Sequence, residues 1–334
     1  MLANYPAWIE LNPGLPKLWA VNTPKSNALL KALDANGQLY SVEFSFPNNA
    51  HLVLKNSNHV LHYIKLIPEK NSHSYLEHDV IAQWLQEYNI NACACIVKKL
   101  FQHEGENYLV MVYPYWEGVR VSSSNNDLSV LAKSIAQLHL TLKNHPETKK
   151  WQEKTEQRYK ELEYIRKKII KGECHFRENM PAVIALAKQY NFDCWIDTAQ
   201  AQSLHGDLNP GNVLLVENSL VFFDFEDTAH SYLPVIVELG YIIERFIMIL
   251  CTDKEIIVQK GREFLKIYRE AGGYYQYLKW HSSILDLLAL KAFCVLTYCY
   301  LNNIGTEPKE WNKFLYLLNR AKDKNYLLKR ILSS

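Results

Sequence analysis

Long runs of one charge sign are missing from this sequence. Its 37 Lys and Arg against 35 Asp and Glu leave a formal charge of +2, so no overall field draws nucleic acid or an anionic membrane surface, and neither is an expected partner. Uninterrupted apolar runs are lacking too. The two most apolar stretches, 232–250 and 284–301, are broken by Glu238, Glu244 and Arg245 in one and by Asp286 and Lys291 in the other. A membrane span needs about 20 nearly continuous apolar residues, so both are expected to be buried core helices. Residues 1–13 have no cationic start before an apolar stretch and carry Glu10, unlike a secretion signal. Seven scattered Cys make neither a disulfide framework nor a metal-ligand spacing, and reduced thiols in a cytoplasmic protein are the expectation. Gly and Pro, 12 each, are too few for a collagen-like or disordered chain. What is present, 334 residues with 48% apolar letters and 22% charged, suffices for two ordinary domains.

The texture of the chain changes once. Thr23-Pro24, then Leu29, Leu30 and Leu33, then Asn36-Gly37 supply an N-cap, a proline at the first helical position and a glycine stop, which predicts a helix over 24–36. β-Rich runs at 40–46, 50–55 and 59–66, separated by Pro47-Asn48-Asn49 and Asn56-Ser57-Asn58, predict a three-stranded antiparallel meander. A helix is expected over 74–88, then strands over 94–101 and 108–113 around Glu104-Gly105-Glu106-Asn107. Five strands and one inserted helix make a small α+β lobe over residues 1–113. Residues 114–334 read as mainly helical, with Leu131, Ile135, Leu138 and Leu142 recurring behind an Asp127 cap. Glu156/Lys160 and Glu163/Lys167 lie one turn apart in 147–173, a solvated helix face without chemistry. One β interruption, 213–216 and 220–223, breaks the helical half.

That interruption lies in the most informative segment. His205-Gly206-Asp207-Leu208-Asn209-Pro210-Gly211-Asn212 precedes an apolar hairpin, and Asp224-Phe225-Glu226-Asp227 follows it. Two four-residue strands joined by Glu217-Asn218-Ser219 should return Asn212 and Asp224 to one edge of the hairpin, with Asp207 converging on them. An Asn and an Asp offer oxygen ligands to a hard cation such as Mg2+, which is usually held by few protein groups plus substrate phosphates. A second, separate Asp beside that ion is what phosphoryl transfer needs to orient a hydroxyl and accept its proton. Glu77 falls in the middle of a helix half made by Leu76, Val80, Trp84, Tyr88, Ile81 and Leu85, and a buried carboxylate needs a partner. Lys65 on the preceding strand is the natural one, and a capping box with Ser74 is the alternative. A Lys–Glu pair of this sort holds the α and β phosphates in kinase folds.

His-Gly-Asp-Leu, then Asn212, then Asp224 beyond the hairpin resembles the catalytic segment of the aminoglycoside phosphotransferase and choline kinase family, small-molecule kinases of the protein-kinase-like fold. The element order resembles that family from about Thr23 to the last helices. The resemblance implies a bilobal α+β fold, with residues 1–113 as the nucleotide-binding lobe and 114–334 as a helical lobe carrying a catalytic loop, 205–212, and a metal-binding segment, 224–227. It implies Asp207 as the base, Asn212 and Asp224 as Mg2+ ligands, His205 as a support of the loop, and ATP or GTP as co-substrate held by Lys65 and Glu77. By the same resemblance Tyr113 to Tyr115 would be the hinge beside the nucleobase, although an ordinary linker fits the letters equally. Leu138-His139 sits where the family has a Leu-His pair, and this His is expected to pack. Two departures stand out. The turn Ser45-Phe46-Pro47-Asn48-Asn49-Ala50 has no glycine, so Ser45, Asn48 and Asn49 would have to contact the phosphates through their side chains. Glu238 stands where the family commonly has an Asp.

The acceptor is expected to be small. About ten residues separate Asp224 from a helix expected near Pro234, there is no Ala-Pro-Glu, and Gly206 replaces the Arg of His-Arg-Asp, whereas protein kinases carry a long segment there as a peptide platform. Glu226, Asp227 and Glu238 would favour a cationic hydroxyl compound such as an aminoglycoside or amino alcohol, unless they are solvated or capping carboxylates. Tyr232, Tyr241 and Trp280 would box a quaternary amine, or simply belong to the core. The competing readings are an atypical protein kinase and a pseudokinase that binds nucleotide without turnover.

Overall fold

The computed structural model describes residues 18–42, 50–56, 61–173, 180–196, 200–277, 283–304 and 308–333. In chain order the elements are β1 (Leu18–Val21), α1 (Pro24–Ala32), β2 (Gly37–Val42), β3 (Ala50–Asn56), β4 (Leu61–Pro68), α2 (Ser72–Glu87), β5 (Val97–His103), β6 (Glu106–Pro114), α3 (Asn125–Leu142), α4 (Thr148–Ile170), α5 (Met180–Gln189) and α6 (Asp193–Ile196). They continue with β7 (Ala201–Ser203), β8 (Val213–Val216), β9 (Ser219–Phe222), β10 (Tyr232–Pro234), α7 (Val235–Ile243), α8 (Lys254–Glu270), α9 (Ile284–Leu301) and α10 (Pro308–Leu332). The fold is α+β, and the chain forms two compact units. Residues 1–121 and 211–226 make one, and 122–210 and 227–334 the other. A single boundary at 113/114, as the sequence suggests, misses the return of 211–226 to the first unit. The reason is pairing: Val119 exchanges both backbone hydrogen bonds with Leu215 at 3.0 and 2.9 Å, and Cys93 N–H donates to the Phe222 carbonyl at 2.8 Å.

The first unit is built on a six-stranded antiparallel sheet in the order β1-β2-β3-β4-β6-β5. Strand β1 is an addition to the expected five, because its four residues are too few for periodicity to register. On one face Leu39, Leu52, Leu54, Ile64, Leu66, Val110 and Val112 form a core with Leu29 of α1. That helix starts as its letters suggest, with Thr23 and Ser26 closing a reciprocal capping box and Pro24 at the start. The other face carries Ile67, Leu109 and Met111, packed with Tyr75 of α2 and with Tyr113. Strand β5 begins at Val97 rather than 94, since Ala92 and Cys93 bridge to Phe222 and the Cys95 N–H is taken by a side chain of α2.

Helix α2 buries only part of the face its apolar letters indicate, Ile81 and Leu85. Asp79, Ile81, Ala82 and Leu85 are buried, while Leu76, Val80 and Tyr88 are exposed. Asp79 is the carboxylate at the bottom of this face. It accepts from the Cys95 N–H at 2.6 Å and from Gln83 Nε2 at 2.9 Å, and it pairs with Lys98 Nζ at 2.6 Å. A buried carboxylate is tolerable only with such a set of donors. Asp79→Ala leaves the Cys95 N–H without its acceptor and Lys98 without its partner, so urea unfolding should show a loss of about 3 kcal/mol.

In the second unit α3 packs on α8, α4 on α5 and α9, and α10 on α8 and α9. Ser124 caps α3, and Asp127 lies inside its first turn, accepting from the Ser122 N–H and hydroxyl at 2.9 and 2.6 Å. Asp127 is therefore not the cap itself. Within α4, Glu163 binds Arg166 through two bonds of 2.7 and 2.6 Å instead of Lys167. Helix α9 is long and apolar enough to cross a membrane by length and composition alone, yet 56% of it is buried inside the protein, as a core helix would be.

Candidate active site

The residues expected to act fall into two sets, one in each unit. In the first, Val213 pairs with Phe222 and Val216 with Ser219, and one step beyond the ladder the Phe223 N–H donates to the Asn212 carbonyl at 2.9 Å. Asn212 and Asp224 thus stand at the open end of one hairpin. Asp224 is exposed and adopts φ 62°, a left-handed conformation that Asp tolerates better than most residues. An amide oxygen and a carboxylate on adjoining chain segments suit Mg2+, which completes its shell with phosphates and water. Among the described residues no three His, Cys, Asp or Glu gather as metal ligands.

Lys65 lies on the α2 face of the sheet. Its ammonium is 5.4 Å from the Tyr75 ring centroid and 5.8 Å from that of Tyr113, and its strand partner is His51. Burial first, and then the Lys65 charge, bring the His51 pKa down to about 4, while the Asp224 carboxylate opposes them. Lys65, His51 and Asp224 therefore share one electrostatic neighbourhood. Glu77 is half-buried, and Tyr113 and Tyr115 are half-buried too. Ser45, Asn48 and Asn49 lie outside the described residues.

The second set is the 205–212 loop with its support. Asp207 is half-buried, and both its oxygens are engaged: Tyr241 Oη donates to Oδ1 at 2.8 Å and Asn209 Nδ2 to Oδ2 at 3.0 Å. Gly206 before it has φ 90°, and a Cβ there would come within 2.2 Å of Ser231 Oγ and 2.9 Å of the Asp227 carbonyl, so only glycine fits. Behind the loop sits Glu238, just 4% exposed. Its Oε1 accepts from the Gly206 N–H at 2.5 Å, and its Oε2 from the His205 N–H at 3.2 Å and from His139 Nε2 at 2.8 Å. Burial alone would raise its pKa, yet the donors from His139 and the loop hold it below the ordinary carboxylate range. A carboxylate can only accept, so His139 presents an N–H on Nε2, and its Nδ1 is hydrogen-bonded with the Tyr268 hydroxyl at 2.9 Å. The Tyr268–His139–Glu238 chain is a rigid backing for residues 205 and 206.

Two of the carboxylates expected to face a cationic acceptor do something else. Glu238 is interior and fully engaged by the loop. Asp227 binds Arg158 Nη1 at 2.8 Å and Lys291 Nζ at 3.5 Å. Burial raises its pKa, but Lys291 and Arg158 overcome that and bring it to about 2. Glu226 remains exposed. Of the aromatic residues, Tyr241 is bonded to Asp207, Tyr232 is half-buried, and Trp280 lies outside the described residues. Sequence reading passed over Arg158, since its partner is 69 positions away and its helix reads as a solvated face. No periodicity signals such a contact.

These shifts set a pH dependence. Burial brings His145, stacked on Trp151 with ring centroids 4.0 Å apart, from 6.5 down to about 4 against the opposing pull of Glu147. A folded-state pKa below the unfolded one contributes stability that is complete above the unfolded value and is lost as pH falls through the folded one. The melting temperature should therefore drop between pH 6.5 and about 4 through His145 and His51 together, and again below about pH 4 as Asp227 approaches its value of about 2. His145→Phe should make the first decline shallower, with the His51 share remaining, and leave the second in place.

No curated protein sequence matches the chain. Solved structures match at low identity over most of its length. Amicoumacin kinase in complex with AMP-PNP, Ca2+ and Ami has a TM-score of 0.59 at 15% identity, with 90% of this chain and 94% of that one covered. APH(2")-IIia in its GDP and kanamycin complex has 0.59 at 13%, covering 90% and 99%. Choline kinase LicA from Streptococcus pneumoniae has 0.57 at 14%, covering 90% and 98%. Identities this low speak for the fold. A family model described as "Phosphotransferase enzyme family" matches residues 55–276, a span that takes in β4 to β6, the 205–212 loop and the β8–β9 hairpin. The chain belongs to the phosphotransferase enzyme family, in the kinase-like α+β fold.

Proposed function

We propose that this protein is a Mg2+-dependent small-molecule kinase that moves the γ-phosphoryl group of ATP or GTP to a hydroxyl. The observation that carries this reading is the hairpin end at which Asn212 and Asp224 adjoin, a two-oxygen cation site of the kind that phosphates complete. Asp207 takes the proton of the acceptor hydroxyl while that oxygen attacks the γ-phosphorus; the bond to the β–γ bridging oxygen breaks, and the nucleoside diphosphate leaves. Mg2+ would neutralise the phosphate oxygens. Lys65, with Glu77, holds the α and β phosphates, and Tyr113 to Tyr115 flank the nucleobase. The side chains of Ser45, Asn48 and Asn49 take the place of a glycine-rich loop. With Glu238 interior and Asp227 neutralised by two cations, Glu226 is what remains of an anionic lining, so neutral and anionic hydroxyl compounds belong in the acceptor panel beside aminoglycosides and amino alcohols.

The test is a coupled assay of nucleoside diphosphate release with Mg2+ and ATP or GTP over aminoglycosides, amino alcohols, sugars, hydroxy acids and a protein acceptor. Release that depends on one small hydroxyl compound is the expected result. Release that depends on the protein acceptor would mean an atypical protein kinase. Thermal stabilisation by nucleotide without any release would mean a pseudokinase.

A further inference from the structure

Helix α7 touches three consecutive residues of the catalytic loop, and only two of those contacts are accounted for by holding the backbone. Glu238 accepts the N–H groups of His205 and Gly206. Three positions on, on the same helix face, Tyr241 Oη donates to Asp207 Oδ1 at 2.8 Å. Asn209 Nδ2 donates to the other oxygen at 3.0 Å, so two donors on opposite oxygens set the plane of the carboxylate. The phenol is itself held. The Arg245 guanidinium lies 4.8 Å from its ring centroid, at the start of a π-helical segment, Glu244–Met248, that follows α7. Glu244 pairs with Lys324 at 3.3 Å and with Arg245 at 3.7 Å, all three side chains being buried. Such π turns recur at functional sites. Burial, and then the neighbouring Asp207 carboxylate, push the Tyr241 phenol well above its ordinary value, so it keeps its proton and remains a donor throughout the working range.

We propose that Tyr241 is a positioning residue for the transfer: its hydroxyl fixes the plane in which the Asp207 carboxylate receives the acceptor's proton. The proposal rests on Asp207 being the base. Each carboxylate oxygen has a second lone pair, so the Tyr241 bond leaves room for the acceptor hydroxyl. Without the phenol the carboxylate keeps the Asn209 bond but loses the donor on its other oxygen, and the productive orientation is populated for only part of the time.

The test uses the full chain with water as acceptor, following hydrolysis of Mg-ATP and Mg-GTP, and compares Tyr241→Phe with Asp207→Asn. The ring and its packing survive in Tyr241→Phe, so the melting temperature should change little. Its kcat should fall about ten-fold, with the nucleotide KM unchanged within two-fold. A merely structural role would move stability or KM instead. Tyr241→Phe hydrolysing as fast as the parent or faster, while Asp207→Asn is inactive, overturns the positioning role and leaves the base in place. Undiminished hydrolysis by Asp207→Asn overturns the assignment of the base and this proposal together.

Discussion

Asp207→Ala should abolish phosphoryl transfer, with kcat down by at least about 10³-fold and nucleotide affinity within a factor of two. A positioned general base typically contributes about 10²–10⁴-fold, and alanine also removes the acceptor for the Tyr241 and Asn209 donors that shape the loop. Nucleotide binding is proposed for other residues, Lys65, Asn212 and Asp224. Single-turnover transfer to the acceptor found in the panel, together with calorimetric titration of ATP or GTP, separates the two quantities. Transfer at the parental rate would remove Asp207 from the mechanism. Loss of nucleotide affinity in parallel with rate would mean that the variant has disturbed more than the base.

The second large effect is on stability. Glu238→Ala deletes the acceptor shared by the His205 and Gly206 N–H groups and His139 Nε2, leaving three donors in an interior that water does not reach. Removing one member of a buried, hydrogen-bonded charge network costs about 3–5 kcal/mol. In a chain of this size that corresponds to a fall in melting temperature of about 4–7 °C. Glu238→Gln keeps an oxygen acceptor but places an amide N–H₂ among donors, so it should lose about half as much. Scanning calorimetry of both variants decides the matter. Equal, small shifts would mean that the network is incidental to the fold.

Much of this architecture was legible because it is local. The N-cap at Thr23, the strands on either side of Glu104-Gly105, and the hairpin that returns Asn212 to Asp224 are each specified by residues within a few positions of one another. The α2 face is legible only in part: Ile81 and Leu85 are buried as their letters suggest, but apolar count also favours Leu76 and Val80, whereas the helix turns its charged Asp79 inward to meet the Cys95 N–H and Lys98. A hydrophobic wheel is blind to a carboxylate buried for its partners. Glu238 was placed beside the acceptor for a related reason: nearness in sequence to Asp224 says nothing about which side of the loop a side chain occupies. Tyr241 to Asp207, Tyr268 to His139 and Arg158 to Asp227 join positions 34, 129 and 69 apart, and such contacts exist only once the helices have packed.

The return of residues 211–226 to the first unit also bears on synthesis. When the ribosome has released residue 121, the sheet of that unit is present, but the hydrogen-bonding positions at Asn91, Cys93 and Val119 still wait for Leu215 and Phe222. About a hundred more residues must emerge first, which at typical translation rates takes on the order of 5–20 s. The nascent amino-terminal half therefore spends that interval with an unfilled seam. A gene split after residue 121 would make the same gap permanent, and supplying residues 211–226 as a peptide in trans would be the direct way to close it.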